Sequence, residues 1–159
     1  IYTLLIIIAL TNNSFSAGTS NDSDSASKVS NYTKAKNLIE TAKKYEKKGK
    51  TEKALKRYTK AQKLLLKSNE KKPLQADTLN YLGFTTRKLG DYERGEKFYL
   101  QGLQIEPNHN GINEYLGELY VATDRMDMAK ERLEVLKDCN CEEFQELKNI
   151  IEGTKKSKY

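Results

Sequence analysis

One helical pattern recurs along this chain, and its last two copies lie 34 residues apart. Leu79, Leu82–Gly83, Gly90, Tyr92, Gly95, Tyr99 and Pro107 form one copy. Asn113, Leu116–Gly117, Asp124, Met126, Ala129 and Leu133 occupy the same offsets in the next. A period of this length is a mark of repeat architectures, in which each unit buries its apolar side only by stacking on its neighbours. Such a stack offers an extended surface rather than an enclosed reaction pocket. The chain is therefore expected to hold another molecule.

The unit can be read from Ala76 to Asn108. Leu79, Leu82, Phe84 and Leu89 recur at helical spacing. Leu89–Gly90–Asp91 interrupts them, and a second apolar stripe follows with Tyr92, Phe98, Tyr99, Leu103 and Ile105. Gly90 suits a left-handed helix C-cap and Asp91 an N-cap. Pro107 ends the second helix. Gly83, Gly95 and Gly102 fall inside helices, where each costs about 1 kcal/mol relative to alanine. That cost is recovered where two helices must approach closely, and Gly83 is expected to face its partner helix. Gly117 is its counterpart one repeat later.

These positions resemble the motif of the tetratricopeptide repeat family. The match runs through Leu79, Leu82–Gly83, Gly90–Asp91–Tyr92, Gly95, Tyr99, Gly102 and Pro107, with Thr86 replacing an aromatic. Leu116–Gly117, Tyr120, Ala129, Leu133 and Leu136 form a further copy, in which Asp124 replaces glycine. Leu38, Ala42, Tyr45, Gly49, Ala54, Tyr58 and Ala61 form a degenerate first copy. The resemblance implies an all-α, right-handed solenoid of helix-turn-helix repeats with a C-terminal capping helix. The repeats fall at about 35–68, 76–109 and 110–141, and the cap at 142–153, all within a domain spanning 31–153. The first and second copies start 41 residues apart. The seven extra residues come close to two helical turns. They are expected to lengthen the second helix of the first hairpin through Leu66, ending it before Ser68–Asn69. Pro73 then suits the first turn of the next helix.

Outside the repeats, Ile1–Leu10 is uncharged and apolar, with small and polar residues behind it. Residues 1–17 read as the apolar and cleavage regions of a signal peptide, cut after Ser16 or Ala17, or as a truncated N-terminal anchor. No Met and no basic n-region precede the run. Residues 18–30 are too polar to offset the entropy of ordering and read as a linker. The basic stretch 154–159 reads as a frayed tail. An exported protein, periplasmic or membrane-anchored facing the periplasm, is the expectation.

The net charge of +6 is unevenly spread. Lys28–Lys72 carries 16 Lys/Arg against 4 Glu, while Pro73–Tyr159 carries 12 against 16 Asp/Glu. Two readings of the basic hairpin stand open: a solvated lysine face, or peripheral contact with acidic protein or an anionic membrane. Nucleic acid is not expected, since the basic residues lack the glycine and aromatic interleaving of RNA-binding modules.

The resemblance places a partner-binding groove on the first helix of each hairpin. It implies Lys36, Ile39 and Lys43 from the first repeat, Asn80, Phe84, Arg87 and Lys88 from the second, and Glu114, Tyr115 and Glu118 from the third. The implied function is a scaffold or adaptor gripping a protein or peptide, in support of an envelope assembly. Cys139 and Cys141 are the only cysteines. An exported chain favours their pairing, although Cys-x-Cys closes a very small loop. Free thiols, and a soft-metal or redox site shared with His109, are the alternatives. No nucleophile–base pair and no phosphate-binding glycine loop is legible. Neither an enzymatic role, a cofactor nor a small-molecule substrate is expected.

Overall fold

The structure is a computed structural model describing residues 29–155. The predicted leader, nearly all of the linker and the last four residues of the tail lie outside the described residues. Within them are seven helices and no strand: α1 Asn31–Lys47, α2 Thr51–Lys71, α3 Ala76–Lys88, α4 Tyr92–Ile105, α5 Asn110–Ala122, α6 Met126–Leu136 and α7 Glu142–Ile151. α1/α2, α3/α4 and α5/α6 are hairpins, and α7 packs on α5 and α6. This is an all-α solenoid of helical repeats closed by a terminal helix.

The hairpin turns follow the repeat chemistry. Gly49 (φ +65°), Gly90 (φ +93°) and Asp124 (φ +57°) take the left-handed conformation at the equivalent turn of each hairpin. Asp124 thus stands in for glycine, as a short polar side chain can. Ser30 caps α1 by accepting from the Thr33 N–H at 3.1 Å. Asp91 caps α4 by accepting from the Arg94 N–H at 3.0 Å.

Small residues allow the helices to approach. Ala35 and Ala42 of α1, and Ala54 and Ala61 of α2, are buried around Ile39, Tyr58 and Leu65. A Cβ on Gly83 would lie 2.5 Å from Cε1 of Tyr99 in α4, and one on Gly117 would lie 2.5 Å from Cδ2 of Leu147 in α7. Both glycines therefore mark close contacts, but with different kinds of neighbour: the partner helix of the hairpin, and the cap.

Some boundaries and faces differ from expectation. α2 does not stop before Ser68–Asn69 but continues through them to Lys71. Serine and asparagine lower helix propensity by well under about 1 kcal/mol each, too little to end a helix on their own. The stop comes from Pro73, which disfavours helical backbone at Lys72 (φ −136°, ψ 85°). Pro73 itself lies outside α3, before the Gln75 cap. Of the α4 stripe, Tyr99 is buried, whereas Tyr92 and Ile105 stay exposed. Ile39 is fully buried and lies in the core rather than a groove. At the C-terminus, Thr154 and Lys155 are not frayed: both backbone N–H groups donate to the Asn149 carbonyl, at 3.0 and 3.1 Å.

Candidate functional site: the inner face

α3 and α5 are the central helices of the stack, with neighbours on several sides, so Leu82–Arg87 and Ile112–Tyr120 are buried without a break. The groove residues implied by the family resemblance therefore divide into two groups.

The first group is closed off. Phe84 lies between Tyr58 (centroids 5.7 Å, edge-on) and Tyr115 (5.0 Å, tilted). Arg87 donates from Nη1 to the Tyr115 carbonyl. It also forms an ion pair with Glu118 at 3.5 Å, both side chains at 0% exposure. Its guanidinium carbon lies 5.9, 5.7 and 5.6 Å from the ring centres of Phe84, Tyr99 and Tyr115. Burial pulls the Arg87 pKa down, opposed by Tyr99, Glu118 and Tyr115. Burial pushes the Tyr99 and Tyr115 phenols above their ordinary value. Lys88 pairs with Glu46 at 2.6 Å, and Glu46 also accepts from the Tyr58 hydroxyl at 2.8 Å. Phe84, Arg87 and Glu118 are thus corrected from groove positions to core positions, and Lys88 is tied into the α1/α2 hairpin.

The second group lines an open trough. One cavity of about 350 Å³ is walled by Asn80, Tyr81, Glu114 and Tyr115, with Asp77, Glu106, His109 and Glu143. Next to it, a cavity of about 230 Å³ shares Glu114, Tyr115 and Glu143 and adds Lys43, Glu142 and Glu146. Asn80 is 5% exposed, and its Oδ1 has no hydrogen-bond partner. Gly111 leaves room for its amide, because a Cβ there would lie 2.8 Å from Asn80 Nδ2. At the α1 side, Lys36 is exposed, with its ammonium 5.5 and 5.8 Å from the Tyr32 and Tyr81 ring centres. Lys43 sits 5.2 Å over Phe84 and 3.5 Å from the Tyr115 hydroxyl.

Of the residues the family resemblance implied, Lys43, Asn80, Glu114 and Tyr115 line the two cavities, whereas Lys36 lines neither and stands over the Tyr32 and Tyr81 rings. Sequence reasoning missed Asp77, Tyr81, Glu106, Glu142, Glu143 and Glu146. The acids of α7 read simply as charges complementing a helix start, and nothing in the sequence signalled that α7 folds back to wall the inner face.

The cysteine turn does not join this site. Cys139 and Cys141 form a disulfide. His109 is occupied elsewhere: its Nδ1 accepts from the Ile112 N–H at 3.1 Å, capping α5. That leaves the proton on Nε2, which lies 3.2 Å from Asp77 Oδ1. Among the described residues no three His, Cys, Asp or Glu side chains converge as a metal-binding group. The geometry does not bring His109 and the two cysteines together as a shared metal or redox site. Also among the described residues, no helix is long and apolar enough to cross a membrane.

Comparison with known proteins agrees with the fold. Residues 76–109 match the tetratricopeptide repeat model. The Yersinia enterocolitica type III secretion translocator chaperone SycD is similar over 80% of this chain and 83% of its own, with 18% identity and a TM-score of 0.51. The first such domain of Spaghetti (RPAP3), solved bound to the HSP90 peptide SRMEEVD, matches over 77% of this chain and 94% of its own, with 22% identity and a TM-score of 0.48. The first domain of human RPAP3 gives 79%, 98%, 20% and 0.47 in the same terms. No curated protein matches the chain.

Proposed function

We propose that this tetratricopeptide-repeat protein is an interaction scaffold that holds an extended segment of a partner protein in the trough along its inner face. The observation that carries the reading is the trough itself. α1, α3, α5 and α7 contribute polar or aromatic side chains to two adjoining cavities that share Glu114, Tyr115 and Glu143. Rigid helices hold these side chains, so little ordering entropy is lost at binding. The experiment is site-specific photo-cross-linking. A photoreactive residue at Tyr81, in the trough, should capture a partner from cells, and the same residue at Lys56, on the exposed face of α2, should not. Equal capture from both positions, or none from Tyr81, refutes the reading.

The proposal includes export to an oxidising compartment. The apolar run at 1–10 and the Cys139–Cys141 disulfide support it. Fractionation of cells making the full-length protein tests this; recovery wholly in the cytoplasm would contradict it.

A further inference from the structure

The trough has a marked sign of charge. The larger cavity is walled by Asp77, Glu106, Glu114 and Glu143 and contains no lysine or arginine. The adjoining cavity adds Glu142 and Glu146, with Lys43 as its cation. Lys43 also pairs with Glu40 on its own helix at 3.4 Å, and Glu146 pairs with Lys155. Carboxylates concentrated in a cleft with low-dielectric walls focus field lines and raise the local concentration of cations. A second, independent feature lies in the wall of the same cavity. Asn80 Oδ1 is buried without a donor, and a buried acceptor left unmatched costs about 1–3 kcal/mol. A cationic N–H group would satisfy both features, and an incoming carboxylate neither.

We infer that the segment held in the trough bears lysine or arginine, and that one such side chain enters the larger cavity beside Asn80, where a turn of the amide brings Oδ1 out to accept from it. This rests on the trough reading proposed above and adds the chemistry of the occupant. The opposite sign of the outer face fits: Lys53, Lys56, Arg57 and Lys60 line a shallow basic depression on α1/α2, where a basic segment is repelled.

The test uses three fluorescein-labelled peptides of equal length that alternate glycine with lysine, glutamate or serine, titrated into the full chain by anisotropy. The lysine peptide should bind, and more tightly at low salt. The double variant Glu106→Gln/Glu143→Gln should weaken it roughly tenfold or more, as expected from neutralising two interfacial charges. Asn80→Leu should weaken it without lowering the melting temperature, and Lys56→Gln should leave it unchanged. Should Asn80→Leu fail to fold, the glutamine pair still decides. Glutamate or serine peptides binding the trough as tightly would overturn the cationic occupant and leave the trough reading standing. Lysine-peptide binding indifferent to Glu106→Gln/Glu143→Gln would overturn it as well. Failure of the lysine peptide to suppress cross-linking from Tyr81 would overturn the cationic occupant alone, whereas absence of any cross-linking from Tyr81 would remove the trough reading on which it rests.

Discussion

Arg87 and Glu118 form a pair whose removal can be worked through in detail. Both side chains are fully buried, 3.5 Å apart. Arg87→Met would leave the Glu118 carboxylate in the core without this cation. It would also take the charged hydrogen bond from the Tyr115 carbonyl. Breaking a buried pair from one side costs about 3–5 kcal/mol, because the remaining charge is stranded. Glu118→Leu should fall at the lower end of that range, since the guanidinium keeps the Tyr115 carbonyl and three ring faces. The double variant Arg87→Met/Glu118→Leu removes both desolvated charges. It loses the carbonyl bond, worth about 1.5–3 kcal/mol for a charged donor, and regains the desolvation energy of both ions. It should lie within about 2 kcal/mol of the parent, giving a coupling of roughly 3 kcal/mol or more between the sites. Urea unfolding followed by circular dichroism measures all four proteins. Against a typical total of about 5–15 kcal/mol, either single variant is readily visible. A cost below about 1 kcal/mol for Arg87→Met, or a double variant equal to the sum of the singles, would show that the pair is solvated. Arg87 would then return to the list of groove residues. By the same reasoning, loss of partner binding in Arg87→Ala reports a disturbed core rather than a lost contact with the partner.

Three further outcomes are expected. Gly83→Ala drives a Cβ to 2.5 Å from the buried Tyr99 ring and should cost about 1–3 kcal/mol by overpacking; an unchanged melting temperature would mean that α3 and α4 are not in close contact. Leu74, 69% exposed, holds φ +58°, a conformation costing a non-glycine residue roughly 1–2 kcal/mol. Leu74→Gly should therefore stabilise the fold by about 0.5–1 kcal/mol after the extra chain entropy of glycine is counted; a loss of stability in urea would contradict this. The Tyr58, Tyr99 and Tyr115 phenols are raised chiefly by burial. Below the unfolded tyrosine pKa of about 10 both states are protonated and this contribution is fully present. Above it the unfolded chain releases protons that the folded chain keeps, so stability should fall as pH rises past about 10. Thermal melts and phenolate absorbance across that range check the sign; a stability flat into strong alkali would show the rings to be solvated.

The repeat architecture was legible before any coordinates because each repeat has its own punctuation. Gly90, Asp91 and Pro107 set one hairpin by local backbone chemistry. Asp124, in the place of a glycine, shows that the position matters more than the residue. Gly83 announced a close contact by being costly anywhere else. Local rules could not settle which polar side chains of α3 and α5 face water. Helical spacing puts Asn80, Phe84 and Arg87 on one side of α3, and the resemblance marked that whole side as groove. Whether a position on that side is groove or core depends on how far α1, α5 and α7 close over it, a matter of contacts between residues distant in the chain. Phe84 and Arg87 fell beneath Tyr115, whereas Asn80 remained in the wall of an open cavity. The acids of α7 show the same limit. In sequence they complement a helix dipole, and only the packing of α7 on α5 turns them into the wall of the trough. The sequence thus determined the helices, their turns and their close contacts, which are set over a few residues. The tertiary structure alone decided which inner-face groups are buried and what charge the open face presents, because burial and electrostatic potential are sums over neighbours that the chain brings from far apart.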